Sequence, residues 1–175
     1  MTAAADGKKL DTSGQTTQVT KEIMFGPVLA SNVGQLRAIQ SCLEVNYAQK
    51  FYDDVVVSPT PELCKLGLYN SNAVGACCSR LEEREGKTWC YVMTLVVLPA
   101  YRGRMIGTKL LEHMISSAQK LGAAGIFLHV WTENPDGIDF YVRKFGFEKK
   151  ETIEGYYKRL EPSSCILLEK SFPSA

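Results

Sequence analysis

The stretch YRGRMIGTK, residues 101–109, sets Arg102 and Arg104 beside Gly103 and Gly107, just after a long apolar run and just before a helical pattern. A helix N-terminus presents unpaired N–H groups and the positive end of the helix dipole. Arginines add charge, and glycines let backbone approach a ligand closely. That combination suits a pyrophosphate. The same residues also make an ordinary basic turn ahead of a helix, so the loop alone leaves both readings open. It is not a Walker loop, because Gly-Lys-Ser/Thr is absent from it. Met105 stands in its middle. A methionine keeps its backbone N–H and is harmless in a right-handed turn, but it is strained where φ must be positive.

The six cysteines, Cys42, Cys64, Cys77, Cys78, Cys90 and Cys165, form no CxxC pair, and neither histidine falls at metal-ligand spacing from them. No metal is expected. Most of the thiols lie in apolar runs, as reduced cysteines of a cytosolic protein do; a catalytic Cys–His pair is the alternative. His129 sits in a buried-strand pattern and, taken alone, is more readily a satisfied core residue than a catalyst. His113 falls on the exposed side of a helical pattern.

These groups need elements to position them. TWCYVMTLVVLP (88–99) is apolar on both faces and rich in β-branched and aromatic residues, which marks an interior strand. Leu110, Leu111, Met114, Ile115 and Ala118 make a helical stripe after it, with Gly122 as a C-terminal stop. GIFLHVWT (125–132) reads as a second buried strand, and strand–helix–strand from Thr88 to Thr132 as a parallel crossover. Upstream, IMFGPVLA (23–30) reads as an edge strand. Ser31 is a candidate N-cap for a helix through residues 32–45, with Leu36, Ile39 and Leu43 on one face. KFYDDVVV (50–57) adds a short helical turn. ELCKLGLY and AVGACCSRL flank the turn NSN as a hairpin. NPDGIDFYVRKFGF (134–147) reads as a capped helix ending at Gly146, and CILLEKSF (165–172) as a final strand.

The chain has 175 residues, 45% of them hydrophobic and 22% charged, with a formal net charge of +1. Those values fit one globular domain and give no general electrostatic case for binding nucleic acid or an anionic membrane. Residues 1–21 carry too little apolar surface to offset their ordering entropy and are expected to be a disordered tail. They match neither a secretory signal nor a mitochondrial presequence. No run approaches the ~20 apolar residues of a membrane span. The folded part is expected to be a single α/β (α+β) domain over residues 22–172.

The order strand, RGRMIG, helix, strand, then NPDGIDFYVRKFGF resembles the GNAT acetyltransferase superfamily. That family's acetyl-coenzyme A loop, Arg/Gln-x-x-Gly-x-Gly/Ala, falls here on Arg102, Gly103, Arg104, Met105, Ile106 and Gly107, with Thr108 following. The family's Asn…Phe-Tyr helix matches Asn134, Phe140 and Tyr141. NYAQKFYDDV, CYVMTLVVLPAYR, FLHVWTEN, IDFY and YYKRLEP occur in the order seen in San-type N-terminal acetyltransferases, the catalytic subunits of NatE, across about residues 22–172. The resemblance implies a mixed sheet of about seven strands, splayed between two central parallel strands, with about four helices. It implies acetyl-CoA as cosubstrate, with pantetheine against Leu95, Val96 and Val97 and Asn134 and Tyr141 also at the cofactor.

By the same resemblance, Tyr91 and His129 remove the amine proton through ordered water, and Tyr141 donates to the leaving sulfur. Val45, Tyr47, Met93, Tyr156, Tyr157 and Leu160 would hold a peptide that begins with a retained Met followed by an apolar residue. The implied partners are NatA-type auxiliary and catalytic subunits and the ribosome, in the cytoplasm or nucleus. Three departures stand out. Leu43-Glu44-Val45 replaces the family's Phe-Pro-Val at the pocket mouth. DFYVRKFGF carries one residue more than DFYRKFGF, apparent at Val142, and would bulge the helix beside Tyr141. Met105 replaces the loop's glycine. Two alternatives therefore stay open: a weakly active or inactive coenzyme-binding scaffold subunit, and an acetyltransferase of lysines or small amines.

Overall fold

The computed structural model describes residues 22–173, so the expected disordered tail lies outside the described residues. The elements run β1 (Met24–Pro27), α1 (Val33–Gln40), α2 (Gln49–Val56), β2 (Cys64–Tyr69), β3 (Asn72–Arg84), β4 (Lys87–Val97), α3 (Ile106–Lys120), β5 (Gly125–Trp131), α4 (Pro135–Asp139), β6 (Glu148–Ile153) and β7 (Cys165–Ser171). The strands form one seven-stranded sheet in the order β1-β2-β3-β4-β5-β7-β6. Two tight turns build its first half. Asn70 and Ser71 join β2 to β3, and Glu85 and Gly86 join β3 to β4, all four with positive φ, which matches the right-handed twist of the flanking strands.

The helices cover both faces. Leu110, Leu111 and Met114 of α3 pack with Val92, Leu95 and Val97 of β4 and with Phe140, Tyr141 and Phe147 in one core. Leu36, Ile39, Tyr52 and Val55 of α1 and α2 pack with Ala76, Cys78 and Val96 in the other. Gly75 lets α3 approach: a Cβ there would lie 3.1 Å from Leu110 Cδ1 and 3.2 Å from Ile106 Cγ2. The five cysteines other than Cys42 are buried, and all six are free thiols.

Two irregularities in β4 prepare the site. Opposite β3, Cys78 pairs with Thr94 and Ser79 with Val92, which leaves Met93 as an extra residue. Such a bulge turns two successive side chains to one face. Thr94 Oγ1 accepts from Gln40 Nε2 of α1 at 2.9 Å, and Met93 packs on the same α1–α2 side. On the other edge, β4 pairs in parallel with β5 only at Cys90–Ile126 and Tyr91–Phe127. Beyond Tyr91 the strands part.

Several expectations need correction. The N-cap of α1 is Asn32, not Ser31, and its side chain does not cap the helix. Instead Asn32 Oδ1 accepts from Leu29 N–H and Nδ2 donates to Pro27 C=O, tying the helix to β1. The helix stops at Gln40 rather than Val45, because Ser41 Oγ and Cys42 Sγ bond the last-turn carbonyls of Ala38 and Ile39. Leu43 joins the core from the loop beyond. KFYDDVVV lies in a full two-turn helix that starts at Gln49. α4 gives way at Phe140 to a π-helical turn, Phe140–Lys144, before Gly146 (φ 70°) ends it. A π turn absorbs one extra residue in a helix, as expected from Val142. His113 is partly buried rather than exposed. Its ring lies tilted against Phe25, with centroids 4.7 Å apart, and Nε2 lies 2.9 Å from Glu62 C=O.

Candidate active site

Where β4 and β5 part, Tyr91 from β4 and His129 from β5 meet. Tyr91 Oη lies 3.4 Å from His129 Nδ1, with the two rings edge to face. A third group joins them from the connection between β6 and β7. Tyr156 Oη lies 3.2 Å from His129 Nδ1 and 3.2 Å from Tyr91 Oη, and its ring stacks on the imidazole at 4.6 Å. Behind Tyr91, Phe127 stacks at 4.9 Å, and the Arg84 guanidinium covers Phe127 at 4.2 Å. Arg84 is held by Glu169 of β7 at 2.7 Å.

Burial first, and then the Arg84 charge, hold the His129 pKa below the usual 6.5, against smaller opposing effects of Glu82 and Glu151. The neutral imidazole is therefore the resting form at neutral pH. Burial raises the Tyr91 phenol well above its ordinary value, so it stays protonated.

Two clefts share His129. The inner cleft runs along the parting strands, between Thr94 and Leu95 of β4 and Leu128, Val130 and Trp131 of β5, with Tyr141 and Asn134 on its wall. Tyr141 is 3% exposed, and burial alone raises its phenol pKa, so it too remains a donor. The outer cleft opens past Arg80, Phe51 and Tyr156 and holds Tyr91. Val45, Tyr47, Met93, Tyr157 and Leu160 line both, as does Glu44. Tyr47 Oη makes a long, weak hydrogen bond to Met93 C=O at 3.3 Å, which sets the α1–α2 loop beside the bulge; burial raises its pKa to about 12. Tyr157 N–H bonds Ser163 C=O, and Trp131 Nε1 donates to Pro162 C=O at 2.7 Å, which anchors the β6–β7 connection over the cleft.

The basic loop lies at the far end of β4. The first backbone bond closing α3 runs from Lys109 N–H to Met105 C=O. The N–H groups of Ile106, Gly107 and Thr108 precede it and have no intrahelical acceptor. Gly103 and Met105 both have positive φ, 73° and 62°, so the backbone alternates in hand and its N–H groups can converge on an anion. Met105 is thus in the strained left-handed region, and Lys144 Nζ contacts its sulfur at 3.4 Å. Arg102 Nε donates to Val97 C=O at 3.1 Å, which fixes the loop to the strand end. Arg104 lies over Tyr69 and Tyr101 and donates to Tyr69 Oη at 3.2 Å.

The structure thus brings together Tyr91, His129, Tyr156, Tyr157, Tyr47, Met93, Val45 and Leu160, with Leu95, Tyr141 and Asn134 deeper in the same cleft. Val96 and Val97 do not line it; their side chains serve the two cores. Asn134 Oδ1 also accepts from Gly137 N–H as the cap of α4. Arg84 and Gln40 lay outside the expected set. A basic residue inside a strand that faces a run of aromatics was the signal for Arg84; nothing local marks Gln40.

Comparison with known proteins agrees with this geometry. A family model described as the acetyltransferase (GNAT) family matches residues 35–147. N-alpha-acetyltransferase 50 of Danio rerio is 43% identical over 154 residues, 87% of this chain and 90% of the relative. Probable N-acetyltransferase san of Drosophila melanogaster is 42% identical over 151 residues, 85% and 80% of the two chains. The solved structure of Arabidopsis thaliana Naa50 in complex with the bisubstrate analogue CoA-Ac-MVNAL has a TM-score of 0.78 at 41% identity, covering 86% of this chain and 99% of that one. The chain belongs to the GNAT acetyltransferase family, among its San-type N-terminal acetyltransferases.

Proposed function

We infer that this protein is an N-α-acetyltransferase that transfers acetyl from acetyl-CoA to the N-terminal amine of proteins. The observation that carries the reading is the meeting of Tyr91 and His129 where β4 and β5 part, at the junction of an inner and an outer cleft. Of the relatives matched over 85% or more of this chain, one is an N-alpha-acetyltransferase and one a probable N-acetyltransferase by name, and Arabidopsis Naa50 was solved with the bisubstrate analogue CoA-Ac-MVNAL.

The site fits the coenzyme. N–H groups at the start of α3 that lack an intrahelical acceptor, two positive-φ residues and Arg102 and Arg104 suit the pyrophosphate, and the parted edge of β4 around Leu95 suits the pantetheine arm. Acetyl-CoA supplies the thioester carbonyl carbon and the thiol leaving group. The chain's own residues do the rest. His129, neutral at pH 7, accepts a proton from the amine by way of water. An N-terminal amine has a pKa of about 8, so it needs far less help than a lysine amine near 10.4. That modest demand suits an imidazole with phenols beside it and no carboxylate base. Tyr141, held protonated by burial, donates at the inner end of the cleft.

Val45, Met93, Tyr157 and Leu160 give the first side chain an apolar seat that suits a retained methionine. Leu43 in place of an aromatic widens that seat, and the exposed Glu44 at its rim favours a basic second residue over an acidic one. We propose NatE-type work beside NatA-type subunits at the cytoplasmic ribosome, as the San-type resemblance implies. A panel of peptides beginning Met-Leu, Met-Lys, Met-Glu and Ser-Glu tests the preference. Rates should fall in that order, and a preferred Ser-Glu peptide would overturn it. The strained Met105 favours a second reading, a subunit that binds coenzyme and turns over weakly. Titration with acetyl-CoA showing tight binding without peptide turnover would support that one.

A further inference from the structure

Tyr91 Oη, Tyr156 Oη and His129 Nδ1 form a nearly equilateral triangle with sides of 3.2, 3.2 and 3.4 Å. Those distances are long for direct hydrogen bonds between such groups, whose usual range ends near 3.0 Å for O–H···O. One imidazole nitrogen with a single lone pair also cannot accept well from two phenols at once. The triangle has another use. A point about 2 Å above its plane lies about 2.8 Å from all three atoms, the ordinary distance for a bound water.

We propose that these three atoms hold one water, and that Tyr156 is the residue that orients it as the proton acceptor for the amine. This rests on the N-acetyltransferase reading above. A water has two hydrogens and two lone pairs. With Tyr91 and His129 alone, two of these four positions are fixed, and the water is free to turn. With Tyr156 as third partner, the water donates to His129 Nδ1 and to one phenol oxygen and accepts from the other phenol. The one position left is a lone pair facing the outer cleft. The amine proton passes to that lone pair while one of the water's own protons passes to His129 Nδ1. The products are a neutral amine, an imidazolium and the same water; the imidazolium then returns its proton to solvent. His129 must offer Nδ1 unprotonated, so its proton sits on Nε2.

Position supports the assignment. Tyr156 lines the outer cleft with Tyr91, whereas the inner cleft includes Tyr157 and not Tyr156. Its hydroxyl therefore bridges the amine's approach and His129. Tyr156 is 38% exposed, so its phenol is not needed for the core, and its ring stack on His129 survives loss of the hydroxyl.

Tyr156→Phe tests this in the full chain. A peptide-holding role alone predicts a raised KM and a loss that does not depend on pH. The water-orienting role predicts kcat at pH 7 reduced at least tenfold with peptide KM within about threefold. It further predicts that the deficit shrinks as pH rises past 8, where the amine deprotonates unaided. Tyr157→Phe should show no such pH rescue. A crystal structure of the unvaried protein gives a readout independent of turnover: one water within about 3.2 Å of all three atoms. A water bonded to Tyr91 and His129 alone, or a pH-independent KM effect of Tyr156→Phe, overturns the proposal. Absence of peptide acetylation by the unvaried protein would instead overturn the underlying reading.

Discussion

Met105 should be replaceable by glycine with a gain in stability. Its φ of 62° and ψ of 9° put a non-glycine residue in the left-handed region at the N-cap of α3. That conformation costs an L-residue about 1–2 kcal/mol, and glycine adopts it freely. Glycine gives back part of the gain, about 0.5–1 kcal/mol, because its unfolded chain is more flexible. The side chain itself contributes little. It is 41% exposed, and among the described residues its side chain's polar contact is the 3.4 Å approach of Lys144 Nζ to the sulfur. The net expectation for Met105→Gly is up to about 1.5 kcal/mol of stabilisation, centred on about 0.75 kcal/mol, or about 2–3 °C in Tm at that centre for a domain of this size. Met105→Ala is the control. It removes the same side chain but keeps the backbone penalty, so it should not gain. Thermal melts of the three proteins, side by side, decide the matter. A Met105→Gly melt at or below that of Met105→Ala would refute the strain. Titration of acetyl-CoA reports separately on crowding: both variants binding more tightly than the parent would mean that the methionine side chain obstructs the loop.

Other outcomes follow from the site. His129→Ala should lower kcat at least about a hundredfold and leave acetyl-CoA affinity unchanged in a titration. Because burial and Arg84 hold the His129 pKa below 6.5, kcat should be lost only as pH falls through that lowered value; an acid limb centred above 6.5 would contradict it. Arg84→Met removes the second of these two causes and should move the acid limb to higher pH in the same pH–rate profile. Glu44→Lys should shift the ratio of Met-Glu to Met-Lys peptide turnover toward Met-Glu by about two- to fivefold, the size expected for an exposed charge pair.

Much of the fold and site could be read in the residues because the relevant signals are local. The apolar run of β4, the amphipathic stripe of α3 and the loop between them state their own geometry, and Tyr91 and His129 meet because Tyr91 is the last residue of β4 paired with β5 and His129 stands two residues beyond its partner Phe127. The parts that were illegible depend on tertiary context. β6, Glu148–Ile153, reads EKKETI and is mostly exposed; a charged sheet edge carries no apolar alternation. α1 ends early because side chains of Ser41 and Cys42 compete for its last carbonyls. The bulge at Met93 exists only in register with β3. The third corner at Tyr156 arises from the fold of the β6–β7 connection, which brings it across from a strand distant in sequence. Asn70-Ser71 and Glu85-Gly86, by contrast, mark their turns directly.

The most direct test is acetylation of one Met-Leu peptide carrying an internal lysine, presented with its N-terminus free or blocked, and read by mass spectrometry. A single acetyl group is expected on the free peptide, located on the terminal amine, and none on the blocked peptide. Equal acetylation of both, with the group on lysine, would contradict it.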